Sequence, residues 1–125
     1  MSETLPAEAT LVACLCAAWC GTCTSYRGTL AAAAAAHPEL HFAWIDIEDD
    51  SDALGEAALD IEDFPTLMLL RAGRPLFHGT VLPHAGTLAR LLAALAEHSL
   101  APGDAARVPP AMAAAVWRLA PLRPV

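Results

Sequence analysis

The sequence predicts an α/β domain built in three layers, a mixed central sheet with helices on both faces, and three observations predict it. Short apolar runs, Leu11–Cys16, Leu40–Ile47 and Pro65–Leu70, alternate with helix-forming stretches. The last of these runs passes through the turn Arg71-Ala72-Gly73-Arg74 into another short run, Pro75–Gly79, the pattern of a hairpin. Then Thr87–Ser99 sets Leu88, Leu91, Leu92 and Leu95 at i, i+3, i+4 and i+7, one apolar stripe of an amphipathic helix.

Each element has a local reason. Residues 1–8 lack periodicity and read as an irregular arm. Leu11–Cys16 and Leu40–Ile47 are nearly continuous in apolar character, as strands buried on both faces are. Cys20–Ala36 is rich in Ala, the best helix former, and His37-Pro38 ends it because proline cannot continue the hydrogen-bond ladder. Asp49–Asp52 is an acidic turn, and Ala53–Leu59 a short helix. Pro75–Gly79 reads as an edge strand, where proline is tolerated. Ala101-Pro102-Gly103-Asp104 marks a break, and Pro110–Leu119, starting at a proline, reads as one more helix carrying Met112, Val116 and Trp117. The expected organisation is a domain over 1–100 and a helical extension over 101–125 packed on it.

At 125 residues and 56% hydrophobic, the chain is long enough for one domain with one core. Net charge is −7, and the seven cations, all Arg, are scattered, which argues against a nucleic-acid or anionic-membrane surface. The acidic start has neither the basic residues nor the apolar stretch of a secretory signal, and no run approaches the ~20 apolar residues that span a bilayer, so a cytoplasmic location is expected. Nine of the fourteen carboxylates fall between Asp46 and Asp63, but without the order and the closing Glu of a calcium loop; they read as a solvated turn and helix face able to steer a basic partner.

The chemistry centres on Trp19-Cys20-Gly21-Thr22-Cys23, at the junction of the first strand and the first helix. In a cytosolic setting a C-x-x-C pair is redox-active or metal-binding more often than structural. A cysteine that begins a helix has its pKa lowered by the helix N-terminus and becomes an attacking thiolate. Cys14 and Cys16 add two thiols on one face of the strand. Four thiolates could hold zinc or an iron–sulfur cluster, but gathering all four on one ion would bend the strand sharply, so no metal is expected; Cys14 and Cys16 read as small core residues, with a third or fourth redox-active thiol as the alternative.

This motif, together with Asp63-Phe64-Pro65-Thr66-Leu67-Met68-Leu69-Leu70-Arg71-Ala72-Gly73-Arg74 and with His78-Gly79 after it, resembles the thioredoxin family from about Leu11 to about Ala96. The resemblance implies a thioredoxin-like fold whose opening strand and helix are truncated here. It implies Cys20 as nucleophile and Cys23 as resolving thiol, joined in the oxidised state as a Cys20–Cys23 disulfide with no bound cofactor. Trp19 would cover one side of the thiols, and Gly21 would let the backbone turn tightly. Thr22, where thioredoxins most often carry Pro, would shift the redox potential. Phe64 would offer its backbone to a substrate chain before a cis-Pro65, and Gly79 would keep the groove open, with His78 at its rim.

In one respect the pattern departs. Thioredoxins usually bury an Asp where Cys14 stands, approached by a Lys where Trp44 stands; both charges are missing together, which leaves the proton relay to Cys23 without its usual acid. Glu62 and Asp63, set near the thiols, would raise the pKa of Cys20 and repel acidic substrates. Two functions follow as expectations. One is an enzyme, a monomeric thiol–disulfide oxidoreductase acting on protein disulfides and recharged by a reductase such as thioredoxin reductase. The alternative is a thioredoxin-like binding or assembly module with weak or regulatory redox activity.

Overall fold

Residues 4–125 are described by the structure, a computed structural model. The expected arm over 1–8 lies partly outside them; residues 4–9 carry only a turn. The strands are β1 (Thr10–Cys16), β2 (His41–Asp46), β3 (Thr66–Arg71) and β4 (Arg74–Thr80). The helices are α1 (Gly21–Ala36), α2 (Ser51–Leu54), α3 (Ala85–Ala96) and α4 (Pro110–Leu119). The sheet runs β2-β1-β3-β4; β1 and β2 are parallel across the α1 crossover, and the other two pairings are antiparallel.

Strand alternation divides the core in two. Val12, Cys14 and Cys16 of β1, with Leu67 and Leu69 of β3, face α1 (Cys23, Tyr26, Leu30) and α3 (Leu88, Leu92, Leu95). Leu11, Ala13 and Leu15, with Met68 and Leu70, face α2 and α4. Both faces are therefore covered, which explains the unbroken apolar runs. The last segment supplies seven residues of the second cluster, Val108, Met112, Ala113, Ala115, Val116, Leu119 and Ala120.

The chain end also meets the β2 edge. Arg123 accepts a hydrogen bond on its carbonyl from the Trp44 N–H (2.9 Å), and its guanidinium forks onto Asp50 at 2.7 and 2.9 Å. Asp50 is buried and its charge is matched there by this bidentate partner, and its hydrogen bonds in turn raise the Arg123 pKa.

Most expected elements shift by a residue or two at their ends, and three of the differences have a local physical reason. The helix expected over Ala53–Leu59 is a single turn, α2, and a 3-10 turn over Glu56–Asp60; Gly55, at φ 82°, separates them because a left-handed residue cannot continue a helix. The turn expected over Arg71–Arg74 narrows to Ala72 and Gly73, both at positive φ (53° and 81°), as a two-residue hairpin loop of the primed type demands. The helix expected to run to Ser99 stops at Ala96. His98 turns left-handed (φ 58°), and the N–H groups of His98 and Ser99 bond back to Leu95 and Ala94, a Schellman stop.

Candidate functional site

The C-terminal end of β1 and the first turn of α1 meet at the cysteines. Cys20 is the N-cap of α1, with extended backbone (φ −87°, ψ 112°) and no side-chain capping bond. It is half-buried and carries a free thiol. Cys23, one turn on, points inward and is 1% exposed.

Cys23 is joined to Cys16, not to Cys20: the expected Cys20–Cys23 disulfide is replaced in this structure by Cys16–Cys23. The reason is geometric. The inward side of α1 lies directly over the even-numbered face of β1, which brings the two Cα atoms to 5.9 Å, within the ordinary span of a disulfide. The Cys14 sulfur lies 3.4 Å from that of Cys16 in the same apolar layer. Burial pushes the Cys14 thiol far up, so it stays protonated and is the donor in that contact. Tyr26 shares this layer; burial, with Cys14 beside it, raises the pKa of its hydroxyl, which has no hydrogen-bond partner among the described residues. Cys14 and Cys16 share one face, as expected, and Cys16, expected first as a small core residue, is here the partner of Cys23. The signal for it was present: alternation put both on the side that the C-x-x-C helix must cover.

The remaining expected residues surround Cys20 in part. Trp19 is 70% exposed; its ring meets the Phe64 ring edge-on at 5.7 Å, and its indole N–H donates to the Glu48 carboxylate. The Phe64–Pro65 bond is cis, Thr66 Oγ1 donates to the Asp63 carbonyl at 2.7 Å, and the Pro65 carbonyl accepts from Val81 at 3.1 Å. Thr22 is exposed, as are Glu62 and Asp63. Gly21 is not in a left-handed conformation, and a Cβ there would meet open space, so the tight turn expected of it is not required. At Gly79 a Cβ would meet the Phe77 ring, at distances from 3.4 Å.

Trp44 pairs with Cys14 across β1–β2, in the register expected for the exchanged positions. A cation is nonetheless close: the Arg27 guanidinium lies over the Trp44 ring, 5.3 Å from its centroid, and donates to the Pro124 carbonyl at 3.1 Å. These residues line a cleft of about 590 Å³ with Asp46, Asp50 and Arg123; no cysteine is among its lining residues.

His78, placed at the rim by sequence, is held in β4 beside Gly103. Its carbonyl accepts from Asp104 at 2.8 Å, and its N–H donates to Pro102 at 3.3 Å. Gly103 is at φ 57°, and a Cβ there would stand 2.6 Å from the His78 carbonyl, so only glycine fits. The His78 Nδ1 is buried without a partner among the described residues, and burial lowers the imidazole pKa below its ordinary 6.5, opposed in part by Asp104. The unfolded chain therefore binds a proton at His78 before the native chain does. This contribution to stability is complete above pH 6.5 and is lost as pH falls below it. Urea midpoints at pH 7.5 and 5.5 check this: the drop on acidification should be smaller in His78→Gln than in the wild type, and equal drops would contradict it.

No helix among the described residues is long and apolar enough to cross a membrane. No curated protein matches the chain. Its structure is similar to that of a thioredoxin h from poplar (TM-score 0.62, 26% identity, 72% of this chain and 78% of that one). Thioredoxins from Trypanosoma brucei brucei (0.61, 24%, 72% and 77%) and Fasciola hepatica (0.60, 22%, 69% and 80%) share the fold. The family model Thioredoxin matches residues 2–94, three quarters of the sequence and every element from β1 through most of α3. A family disulfide motif at the strand-to-helix junction, a thioredoxin sheet and this match agree, and the chain belongs to the thioredoxin family.

Proposed function

We propose that this protein is a thiol–disulfide oxidoreductase acting on protein disulfides, with Cys20 as nucleophile and Cys23 as resolving thiol. The observation that carries the reading is the position of Cys20. It has a free sulfur at the N-cap of α1, reachable from solvent, and it packs against the buried layer that holds Cys23. The Cys20 thiolate attacks one sulfur of a substrate disulfide, a mixed disulfide forms, and the other substrate sulfur leaves as thiolate. The Cys23 thiolate then attacks the Cys20 sulfur, the Cys20–Cys23 bond forms, and the second substrate thiolate leaves. The substrate gains two electrons and the protein dithiol loses them, so an external dithiol, such as that of a partner reductase, must restore it.

Trp19 and Phe64 support this reading with an exposed aromatic wall beside the motif. An extended substrate segment could pair with the backbone before Pro65 as a short added strand. Thr22, exposed beside the motif, would touch the same segment, and a Cβ at Gly21 would meet open space. We place the protein in the cytoplasm, as a monomer without a bound cofactor.

A second reading, a binding or assembly module with regulatory cysteines, is favoured by one observation: Cys23 is already engaged by Cys16. Insulin reduction separates the two. The protein is expected to accelerate precipitation of insulin chains by dithiothreitol, and a rate equal to that of dithiothreitol alone would reject the enzyme.

A further inference from the structure

We infer that Cys16 is a third exchanging thiol, so that Cys23 trades between Cys20 and Cys16 and the oxidised chain alternates between a surface disulfide and a buried one. The inference rests on the reading of Cys20 and Cys23 as the exchanging pair, and it adds a state that this pair alone does not have.

Burial and reach carry the argument. Cys16 is 0% and Cys23 1% exposed, so an external thiol has no path to either sulfur of their bond. Thiol–disulfide exchange requires the attacking sulfur to approach the sulfur that it attacks. Among the described residues, two free cysteines lie in or pack against this layer. Cys14 is 3.4 Å from Cys16, but it is held as a neutral thiol, and the thiol is not the nucleophile. Cys20 packs against the same layer, precedes Cys23 by one turn of α1, and faces solvent with its other side. Cys20 is therefore the route by which the buried bond opens.

The step balances without any oxidant. The Cys20 thiolate attacks the Cys23 sulfur; the Cys20–Cys23 bond forms, the Cys16–Cys23 bond breaks, and the electron pair leaves on Cys16. There the Cys14 S–H can donate to it. One disulfide is present before and after. An external dithiol then reduces Cys20–Cys23 at the surface by two electrons and two protons. In the reverse direction, Cys16 takes Cys23 back and Cys20 is released as a free thiol. In that state Cys20 can still capture a substrate sulfur, but Cys23 cannot resolve it. Turnover stops while the oxidising equivalent is kept in the core.

The test compares the wild type with Cys20→Ser. Both are oxidised with diamide and exposed to the same dithiothreitol concentration. At intervals they are quenched in acid and labelled with maleimide, and the Cys16–Cys23 linkage is quantified by peptide mass spectrometry. The linkage is expected in both oxidised proteins, and it should open about tenfold or more faster in the wild type. Equal opening rates, or oxidised wild type in which Cys16 is never joined to Cys23, would overturn the relay. The two readings fail separately. Insulin turnover with equal opening rates removes the relay and leaves the oxidoreductase. A rate difference without insulin turnover leaves the relay and removes the oxidoreductase.

Discussion

A Cys20→Ser variant is expected to reduce insulin no faster than dithiothreitol alone, while its reduced form melts at or slightly above the wild-type temperature. The first half follows from access. Cys14, Cys16 and Cys23 are all buried, so with Cys20 gone no sulfur near the surface remains to attack a substrate. The second half follows from the helix terminus. Cys20 occupies the N-cap of α1 in the extended conformation a cap requires, yet makes no capping bond. Serine is among the best residues for that place, and its hydroxyl can accept from the free N–H groups of the first turn, contributing about 0.5–1 kcal/mol. Loss of turnover without loss of stability separates chemistry from folding, and scanning calorimetry of both reduced proteins reads the difference. Retained turnover would show that another sulfur does the work.

A chain ending at Leu100 is expected to lose its cooperative transition. The family resemblance ends near Ala96, which makes the 25 residues after Leu100 look dispensable. The core indicates otherwise, since Val108, Met112, Val116 and Leu119 are all buried against β1, β3 and α2. Burying each such side chain is worth about 1.5–3 kcal/mol, so the four together contribute about 6–12 kcal/mol, comparable with the whole stability of a domain, about 5–15 kcal/mol. Removal also leaves Asp50 without its bidentate Arg123 partner and frees the Trp44 N–H at the β2 edge. Thermal melting followed by circular dichroism tests this. A sharp transition within a few degrees of the full chain would show that α4 is an accessory rather than half of one core face.

Much of this architecture was legible because it is encoded locally. Continuous apolar runs marked β1, β2 and β3, the leucine stripe marked α3, and Pro110 at the first helical position marked α4. The motif Trp19–Cys23 marked the junction of β1 and α1. What escaped the sequence depends on pairing across distance or on left-handed residues with no glycine signal. His98 adopts such a conformation as a non-glycine, so nothing in its type announced the end of α3. Asp50 is one of nine carboxylates in a short acidic stretch, and its partner lies 73 residues away, so no spacing rule singles it out. Arg27 was unremarkable until Trp44 and Pro124 came to lie beside it. Cys16 is the instructive case. Its face was read correctly, but a buried cysteine is an ordinary core residue, and only the seating of α1 over β1 makes it a partner for Cys23.

The central claim is that Cys20 is the sulfur through which this chain exchanges with its substrates. It is tested most directly by trapping the intermediate with Cys23→Ser, which removes the resolving thiol, and incubating that variant with a peptide carrying an activated disulfide. Peptide mapping of the adduct should find the substrate sulfur on Cys20. A substrate sulfur on Cys14 or Cys16, or no covalent adduct at all, would contradict it.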